Sequence, residues 1–189
     1  MLIVLNRITE CQGEHREIRN LSQLEYLIIH RFGWNDLREY EANGIEPNAV
    51  GIATFYRTNP EAYRTTKGAM PYTFVIGRHG TIWQACELGV LTPHAARFNT
   101  CGIGIACLGD FRWLPPTDEQ KRSVLELSAA LVRFHPMRIE GHTDIPGATK
   151  DPNKSCPGRC FDMVWLRSTV ASTNDSLAGD ALIRAGVSL

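Results

Sequence analysis

The pattern of hydrophobic and polar positions predicts short strands that alternate with helices along the chain. Two runs, residues 26–30 and residues 102–108, are largely apolar and are followed by glycine-containing turns. Short apolar runs bounded by turn residues are typical of buried strands. Two further β-rich runs, residues 72–76 and residues 81–85, flank a glycine-bounded connection, and this arrangement predicts a β-hairpin.

The clearest helical pattern begins after two consecutive prolines. Thr117 is a suitable N-cap, and Gln120 lies at the position that completes a capping box. Apolar residues with helical spacing continue to Phe134, and Pro136 ends the pattern. We therefore predict a long amphipathic helix here, followed by a short strand over residues 138–142.

Two other segments have weaker helical patterns. Residues 48–56 predict a helix capped by Asn48 or an earlier residue, although Gly51 weakens the pattern. Residues 161–170 predict a final helix. Strands interleaved with helices indicate an α/β fold. The prediction is therefore a single domain in which a mixed central β-sheet is flanked by helices.

The length of 189 residues suits one folded domain. We predict that this domain spans residues 24–170 and that residues 1–23 form an N-terminal segment. Residues 171–189 have weak core signals, so a loosely attached C-terminal tail is expected there. The sequence leaves the oligomeric state open, and a monomer is favoured.

The charge balance and the hydropathy of the sequence exclude several classes of partner and location. Twenty acidic residues offset twenty basic ones, so no strong electrostatic attraction to nucleic acid or to anionic lipid is expected. No apolar run approaches the roughly 18 residues that a membrane span needs. The first residues lack the charged leader and long apolar region of a secretory signal, so synthesis in the cytoplasm is expected.

The six cysteines are too few and too scattered for a small disulfide scaffold. They are expected to be core thiols together with one or two functional ones, although an even number also allows disulfides. Cys156 is the candidate for a functional thiol. It precedes Pro157-Gly158 in a predicted loop, where a role in packing is less natural.

Three residues that are far apart in sequence have the chemistry of a zinc site. His30 ends an apolar run, His142 ends a predicted strand, and Cys156 follows in a loop. Two imidazoles and one thiolate would give a zinc ion three protein ligands and leave a fourth position for water, as in catalytic rather than structural zinc sites. Taken alone, each histidine is better explained as a hydrogen-bonded residue beside the core. Glu140 or Asp144 could accept the second ring N–H of His142.

The order and spacing of several motifs add a family resemblance. The motifs are Ile28-Ile-His30, Pro71–Gln84, Pro93-His-Ala95, residues 99–111 and Gly141-His-Thr-Asp144. Through them, residues from about 24 to 166 resemble the type 2 N-acetylmuramoyl-L-alanine amidase family, whose superfamily includes the animal peptidoglycan recognition proteins. Within that family, Lys154-Ser-Cys-Pro-Gly158 resembles the ending of phage lysozyme-type amidases.

The resemblance implies the zinc ligands His30, His142 and Cys156, the catalytic residues Tyr72 and Lys154, and the substrate-cleft residue His94. A Lys154 ammonium and the Tyr72 hydroxyl could stabilise the oxyanion of a tetrahedral intermediate. Tyr72, Lys154 or His94 would protonate the leaving nitrogen. Without the resemblance, a solvated Lys154, a packed Tyr72 and a surface His94 would be the simpler interpretation.

Two residues compete with Cys156 for the third ligand position. Lys150-Asp151-Pro152 imitates the Lys-x-Asp-Pro-Gly ending of a sister branch in which aspartate binds the metal, but its lysine is adjacent to the aspartate and no glycine follows. Cys160 could be a spare thiol. The chain also departs from many relatives at Thr73, where they have histidine, and residues 34–60 do not align.

The resemblance implies a zinc-dependent peptidoglycan hydrolase that cleaves the amide bond between N-acetylmuramic acid and L-alanine of the stem peptide. Such an enzyme would act on the cell wall after release or delivery, as a phage lysin or an antibacterial effector, or would recycle muropeptides in the cytoplasm. The alternative is a peptidoglycan-binding module without catalysis, and the presence of Cys156 favours the enzyme. A structural zinc site closed by a fourth ligand would leave Lys154 and Tyr72 unexplained.

Overall fold

The computed structural model describes residues 2–11, 17–33, 37–148, 151–173 and 185–188. Within them, one sheet is formed by β1 (Val4–Asn6), β2 (Tyr26–Phe32), β3 (Phe74–Ile76), β4 (Ile82–Gln84), β5 (Gly102–Leu108) and β6 (Arg138–Gly141). The helices are α1 (Ile8–Cys11), α2 (Leu37–Ala42), α3 (Ala49–Thr58), α4 (Pro60–Thr66), α5 (Asp118–Phe134) and α6 (Met163–Ser172). None of the helices described is both long enough and apolar enough to cross a bilayer.

The strand order in the sheet is β1-β4-β3-β5-β2-β6. The hairpin partners β3 and β4 are antiparallel, and the other neighbouring pairs are parallel, so the predicted mixed sheet is confirmed. Helix α5 carries the chain from β5 past β2 to the edge strand β6, as parallel pairing requires. The carboxyl ends of β5, β2 and β6 consequently lie together at one end of the sheet.

The two faces of the central strands pack differently. On β2, Leu27 and Ile29 belong to the main core, which also contains the buried side of α5 and parts of α6. His30 and Phe32 point to the opposite face because side chains alternate along a strand. The first three residues of β5 on that second face are small, namely Gly102, Gly104 and Ala106, and Leu108 follows at the strand end. They leave room above the sheet for larger side chains.

The predicted long helix is confirmed together with its cap. The Thr117 hydroxyl accepts from the Gln120 backbone N–H at 3.1 Å, and the Gln120 side-chain oxygen accepts from the Thr117 N–H at 3.2 Å. The Gln120 amide nitrogen also donates to the Leu108 carbonyl at 2.8 Å. One buried glutamine therefore caps α5 and ties its start to the end of β5.

The helix predicted over residues 48–56 is confirmed as α3, with Asn48 as its N-cap. The Asn48 side-chain oxygen accepts from the Gly51 N–H at 2.9 Å. A Cβ at Gly51 would lie 2.1 Å from the Glu46 carbonyl oxygen. The glycine that weakens the helical pattern is thus needed where the preceding loop folds back on the helix.

Both ends of the described chain pack against the sheet. Strand β1 pairs with β4, and the Val4 N–H donates to the Ala185 carbonyl at 2.9 Å. Ala185 and Val187 are buried, and the Gln84 side chain bonds to both the N–H and the carbonyl of Ser188. The last described residues, predicted to belong to a loosely attached tail, are therefore part of the packed edge. The domain bounds of 24 and 170 remain a prediction.

Candidate metal centre

Three of the predicted site residues meet at one end of the sheet. The β2–β6 register pairs Ile28 with Glu140, so one two-residue step along each strand brings His30 and His142 side by side on the same face. The two ring centroids are 4.6 Å apart. Cys156 joins them from the loop before α6, and one ligand atom from each of the three residues lies within 4.8 Å of the others.

Cys156 is fastened to the two strands that carry the histidines. Thr143, directly after His142, donates its backbone N–H and its hydroxyl to the Cys156 carbonyl at 2.9 and 3.0 Å. Arg31, directly after His30, donates its backbone N–H to the Cys156 sulfur at 3.5 Å. The position of the thiol is therefore set by the same main chain that positions the imidazoles.

His94, predicted to line the substrate cleft, is buried beside His30. Its Nδ1 lies 3.1 Å from Nε2 of His30, and its Nε2 lies 3.1 Å from the carbonyl oxygen of Gly102. A Cβ on Gly104 would lie 2.9 Å from Cγ of the His94 ring. The glycines of β5 therefore make the slot for this ring, and both ring nitrogens have partners within the protein.

Tyr72 lies on another side of His30, with ring centroids 5.2 Å apart. Its hydroxyl is hydrogen-bonded to that of Tyr56 on α3. Burial is the main cause that raises the pKa of Tyr72 well above its usual range, and burial also raises the pKa of Tyr56. Both phenols are thus protonated at neutral pH, and the Tyr72 hydroxyl donates its hydrogen to the Tyr56 oxygen.

Burial also sets the ionisation of the candidate ligands in the metal-free protein. It lowers the pKa of His30 well below its usual range and lowers the pKa of His142. It raises the pKa of the Cys156 thiol to about 11 and is the largest cause that lowers the pKa of His94 to about 3. The site therefore holds neutral imidazoles and a protonated thiol, and a bound cation would have to displace the thiol proton.

Lys154 ends the 3-10 turn Pro152–Lys154, and its side chain is exposed. Among the described residues the metal-ligand group contains Cys156 and neither of its competitors. The Cys160 thiol instead donates to the Arg112 carbonyl at 3.6 Å. Asp151 is described, whereas Lys150 lies outside the described residues. All six cysteines are free thiols.

Glu140 and Asp144, predicted as candidate acceptors for His142, are both engaged by α6. Arg167 contacts the carboxylate of Glu140 and donates to that of Asp144 at 2.7 Å. Asp144 also accepts from the Gly141 N–H at 3.2 Å. These carboxylates therefore tie the end of β6 to α6.

Sequence reasoning missed three residues that contact the site or its ligand loop: Tyr56, Arg31 and Asp110. Tyr56 falls in the segment that does not align with relatives, yet it continues the helical spacing of the buried residues Ala49, Ile52 and Ala53. That spacing is the sequence signal that could have found it. Arg31 and Asp110 have no such local signal because their contacts depend on strands and loops that meet only in the fold.

Comparison with protein families identifies the family of this chain. A family model described as N-acetylmuramoyl-L-alanine amidase matches residues 20–159, which is most of the chain. The chain belongs to this amidase family. The matched range contains His30, Tyr72, His94, His142 and Cys156.

Similar proteins include recognition proteins and an endolysin. A peptidoglycan-recognition protein of Drosophila simulans is 31% identical over 91 residues, which are 47% of this chain and 47% of that protein, so the match spans about half the length of that relative. The Ph2119 endolysin of a Thermus scotoductus bacteriophage has a TM-score of 0.67 at 17% identity and covers 88% of this chain and 98% of its own. A mutant of Drosophila PGRP-LB in complex with tracheal cytotoxin has a TM-score of 0.63 at 18% identity. The alignment covers 90% of this chain and 94% of the PGRP-LB chain. These structures confirm the predicted fold.

Proposed function

We propose that this protein is a zinc-dependent peptidoglycan hydrolase that cleaves the amide bond between N-acetylmuramic acid and L-alanine of the stem peptide. The observation that carries the proposal is the group of His30, His142 and Cys156, whose ligand atoms lie within 4.8 Å of one another. Two imidazoles and one thiol at the end of a sheet fit a zinc ion that keeps a position open. Membership of the amidase family supports the choice of bond.

Bound by these three residues, zinc would supply Lewis-acid chemistry to an amide carbonyl and to water. The neighbouring side chains supply the rest. The protonated Tyr72 hydroxyl, next to His30, would donate to the oxyanion that develops on the carbonyl. Without substrate that hydroxyl donates to Tyr56 on α3, and once it turns to the oxyanion the Tyr56 hydroxyl can donate to the Tyr72 oxygen instead.

Protonation of the leaving nitrogen needs a different group. His94 is poorly placed for it, since both of its ring nitrogens are engaged within the protein. Lys154 is exposed two positions before Cys156, so it can meet a substrate that lies over the metal position. We assign Lys154 to oxyanion stabilisation and to proton donation at the leaving group.

Peptidoglycan or muropeptides are the proposed partners, and the cell wall is the proposed place of action. The endolysin and the PGRP-LB complex with tracheal cytotoxin support this choice. The likeness to the Drosophila simulans recognition protein favours a second candidate, a binding module without catalysis. The assembled His-His-Cys group favours the enzyme, because binding alone has no use for a ligand set with an open position.

The decisive experiment is digestion of purified peptidoglycan by zinc-loaded and chelator-treated protein, with products identified by mass spectrometry. Stem peptides that begin with L-alanine should form only with zinc. Cys156→Ala should abolish zinc binding and product formation, whereas Cys160→Ala, a matched thiol four residues away, should keep both. Binding without cleavage by the zinc-loaded protein would establish the recognition module instead.

Lys154→Ala separates catalysis from metal binding. Because the lysine acts on the substrate, its loss should leave zinc content unchanged and lower kcat by about a hundredfold, the usual scale for one oxyanion-stabilising group. Lys121→Ala, at a partly exposed lysine on α5 that pairs with Asp118, is the control. Full kcat in Lys154→Ala, measured on a muropeptide, would remove Lys154 from the mechanism.

A further inference from the structure

Three polar groups are linked in a row beneath the candidate metal centre. They are the Gly102 carbonyl, the His94 ring and the His30 ring, joined by two contacts of 3.1 Å. A carbonyl oxygen can only accept, so Nε2 of His94 carries its hydrogen. The neutral ring then presents a bare Nδ1, which accepts from Nε2 of His30. Nδ1 of His30 is left with a free lone pair, and this is the atom that lies 3.8 Å from the Cys156 sulfur.

Both ends of this row are held in place. The Gly102 carbonyl also accepts from the buried guanidinium of Arg19. The same guanidinium donates to the carbonyls of Leu88, Val90 and Asn99 at 3.1, 2.7 and 2.9 Å. Arg19 therefore fixes the carbonyl on which the His94 hydrogen bond depends.

The His94 ring itself has little freedom to turn. A Cβ at Gly104 would lie 2.9 Å from its Cγ and 3.0 Å from its Nδ1, and a Cβ at Gly102 would lie 3.3 Å from its Cε1. The ring thus packs closely against the backbone of β5 at both glycines. This close contact sets the direction in which Nδ1 points toward His30.

We infer that His94 is a positioning residue that holds His30 in the tautomer whose Nδ1 faces the metal position. This inference rests on the zinc site of the proposed function and assigns the support of one ligand. Ligating histidines usually donate their second N–H to a carboxylate, a carbonyl or water, and loss of that partner typically costs 10- to 100-fold in metal affinity. Here the acceptor is a second histidine, which is itself anchored on a backbone carbonyl.

The first test is the affinity of the metal-free protein for Zn²⁺ alone, measured by competition with a chromogenic chelator. His94→Phe keeps a ring in the slot and removes both hydrogen bonds, so affinity should fall about 10- to 100-fold. His94→Gln can accept from His30 and donate to Gly102, so it should recover part of the loss. Circular dichroism and thermal unfolding of the metal-free variants check that the fold is kept.

His135→Phe is the matched control. His135 also bonds a backbone carbonyl, that of Leu24 at 2.8 Å, but at the other end of β2. Its zinc affinity should equal that of the unmodified protein. A folded His94→Phe with unchanged zinc affinity would overturn the inference.

A second measurement keeps the inference testable if His94→Phe fails to fold. Long-range ¹H–¹⁵N spectra of the unmodified metal-free protein report the tautomer of each histidine. His30 and His94 should both carry the proton on Nε2, and a proton on Nδ1 of His30 would overturn the inference. Gly104→Ala should disturb both rings through the added Cβ, whereas Gly89→Ala, where a Cβ would meet nothing within 4 Å, should not.

Neither measurement depends on turnover, so the two proposals can fail separately. A protein with the expected tautomers and zinc affinities that releases no stem peptide would contradict the amidase and leave the role of His94 intact. A protein that cleaves peptidoglycan while His94→Phe binds zinc normally would do the reverse.

Discussion

At the scale of single residues, the pair of tyrosines beside the centre differs from an ordinary packed aromatic cluster. Tyr72 and Tyr56 are 6.4 Å apart between ring centroids and share a hydrogen bond between their hydroxyls. Phe32 packs against both rings, at 6.4 and 6.0 Å, and has no polar group to offer. The Tyr56 hydroxyl is therefore the group that accepts from Tyr72 without substrate and can donate to the Tyr72 oxygen once Tyr72 turns to the oxyanion, which favours a supporting role for Tyr56.

Tyr56→Phe tests that role by removing one hydroxyl and nothing else. Loss of a neutral hydrogen bond worth about 1 kcal/mol should lower kcat about fivefold. Tyr72→Phe should cost about a hundredfold in kcat because it removes the proposed oxyanion donor. Both variants should keep their zinc content. The measurement is steady-state kinetics on a muropeptide.

Tyr63→Phe on α4 provides the comparison, since Tyr63 is 49% exposed. It should match the unmodified protein in kcat. If Tyr56→Phe also matched it, Tyr56 would be a packing residue.

How far single residues can be predicted depends on where their partners lie. His30, His142 and Cys156 were predictable as a set because the motifs around them resemble a known family in order and spacing, whereas two imidazoles and a thiol this widely spaced indicate a metal site only weakly. The buried position of His94 was not, since it follows from two glycines on a strand that the ring meets only after folding. The alternation of glycine with isoleucine in β5 was the available sign that one face of that strand lies close to something large.

At the scale of elements, the loop that carries Lys154 and Cys156 is fastened to the end of β5 through Asp110. The Asp110 carboxylate pairs with Arg112 at 2.5 Å and with Arg31 at 3.4 Å. Arg112 also donates to the Asn153 carbonyl at 2.7 Å, and Arg31 donates to the Ser155 carbonyl at 3.2 Å. One carboxylate thus organises two guanidinium groups that both hold the loop.

Asp110→Asn should destabilise the metal-free protein by about 2 kcal/mol near neutral pH, because it weakens charge-assisted hydrogen bonds. The hydrogen bond from Arg112 is the largest cause that lowers the pKa of Asp110 in the folded state. A lowered folded pKa means that this stability is present above the unfolded value of about 3.9 and is lost as pH falls through the folded value. The difference between the two proteins should therefore shrink in acid.

Urea unfolding at a series of pH values, with chelator present, measures this difference. Asp118→Asn is the control, since its carboxylate is 88% exposed in an ion pair with Lys121 and should contribute less than about 1 kcal/mol. An Asp110→Asn effect that was equally large in acid would rule out the ionised carboxylate as its source.

Elements with strong local patterns were predictable, and elements defined by their neighbours were not. Helix α5 has its cap, its apolar stripe and its terminating proline within one stretch of sequence. Strand β1 has three residues, and its pairing with β4 is what makes it a strand. Helix α4 is an intermediate case. It was not predicted, although its N-cap Asn59 and its first residue Pro60 are typical of a helix start.

At the scale of the whole molecule, the candidate metal centre and the packed chain ends lie at opposite edges of the sheet. The candidate metal centre is built on β2 and the edge strand β6, whereas residues 185–188 pack at the opposite edge, beside β1 and β4. Strands β3 and β5 lie between them. We expect changes at the β1–β4 edge to alter stability without altering the affinity for zinc.

Removal of residues 185–189 tests this separation. It would expose apolar surface covered by Val187 and leave the Gln84 amide, which donates at 2.6 Å and accepts at 2.7 Å, without its partners on Ser188. Together these losses should cost about 3 to 5 kcal/mol in the free energy of unfolding. Val187→Ala should show part of the loss, and Val164→Ala, at a valine that is 73% exposed, should show almost none.

Zinc affinity, measured below the unfolding transition of each protein, should be the same in all of these variants. A truncated protein that unfolded like the full chain would mean that this edge adds nothing to stability, and a folded one that bound zinc more weakly would mean that the two edges are coupled across the sheet.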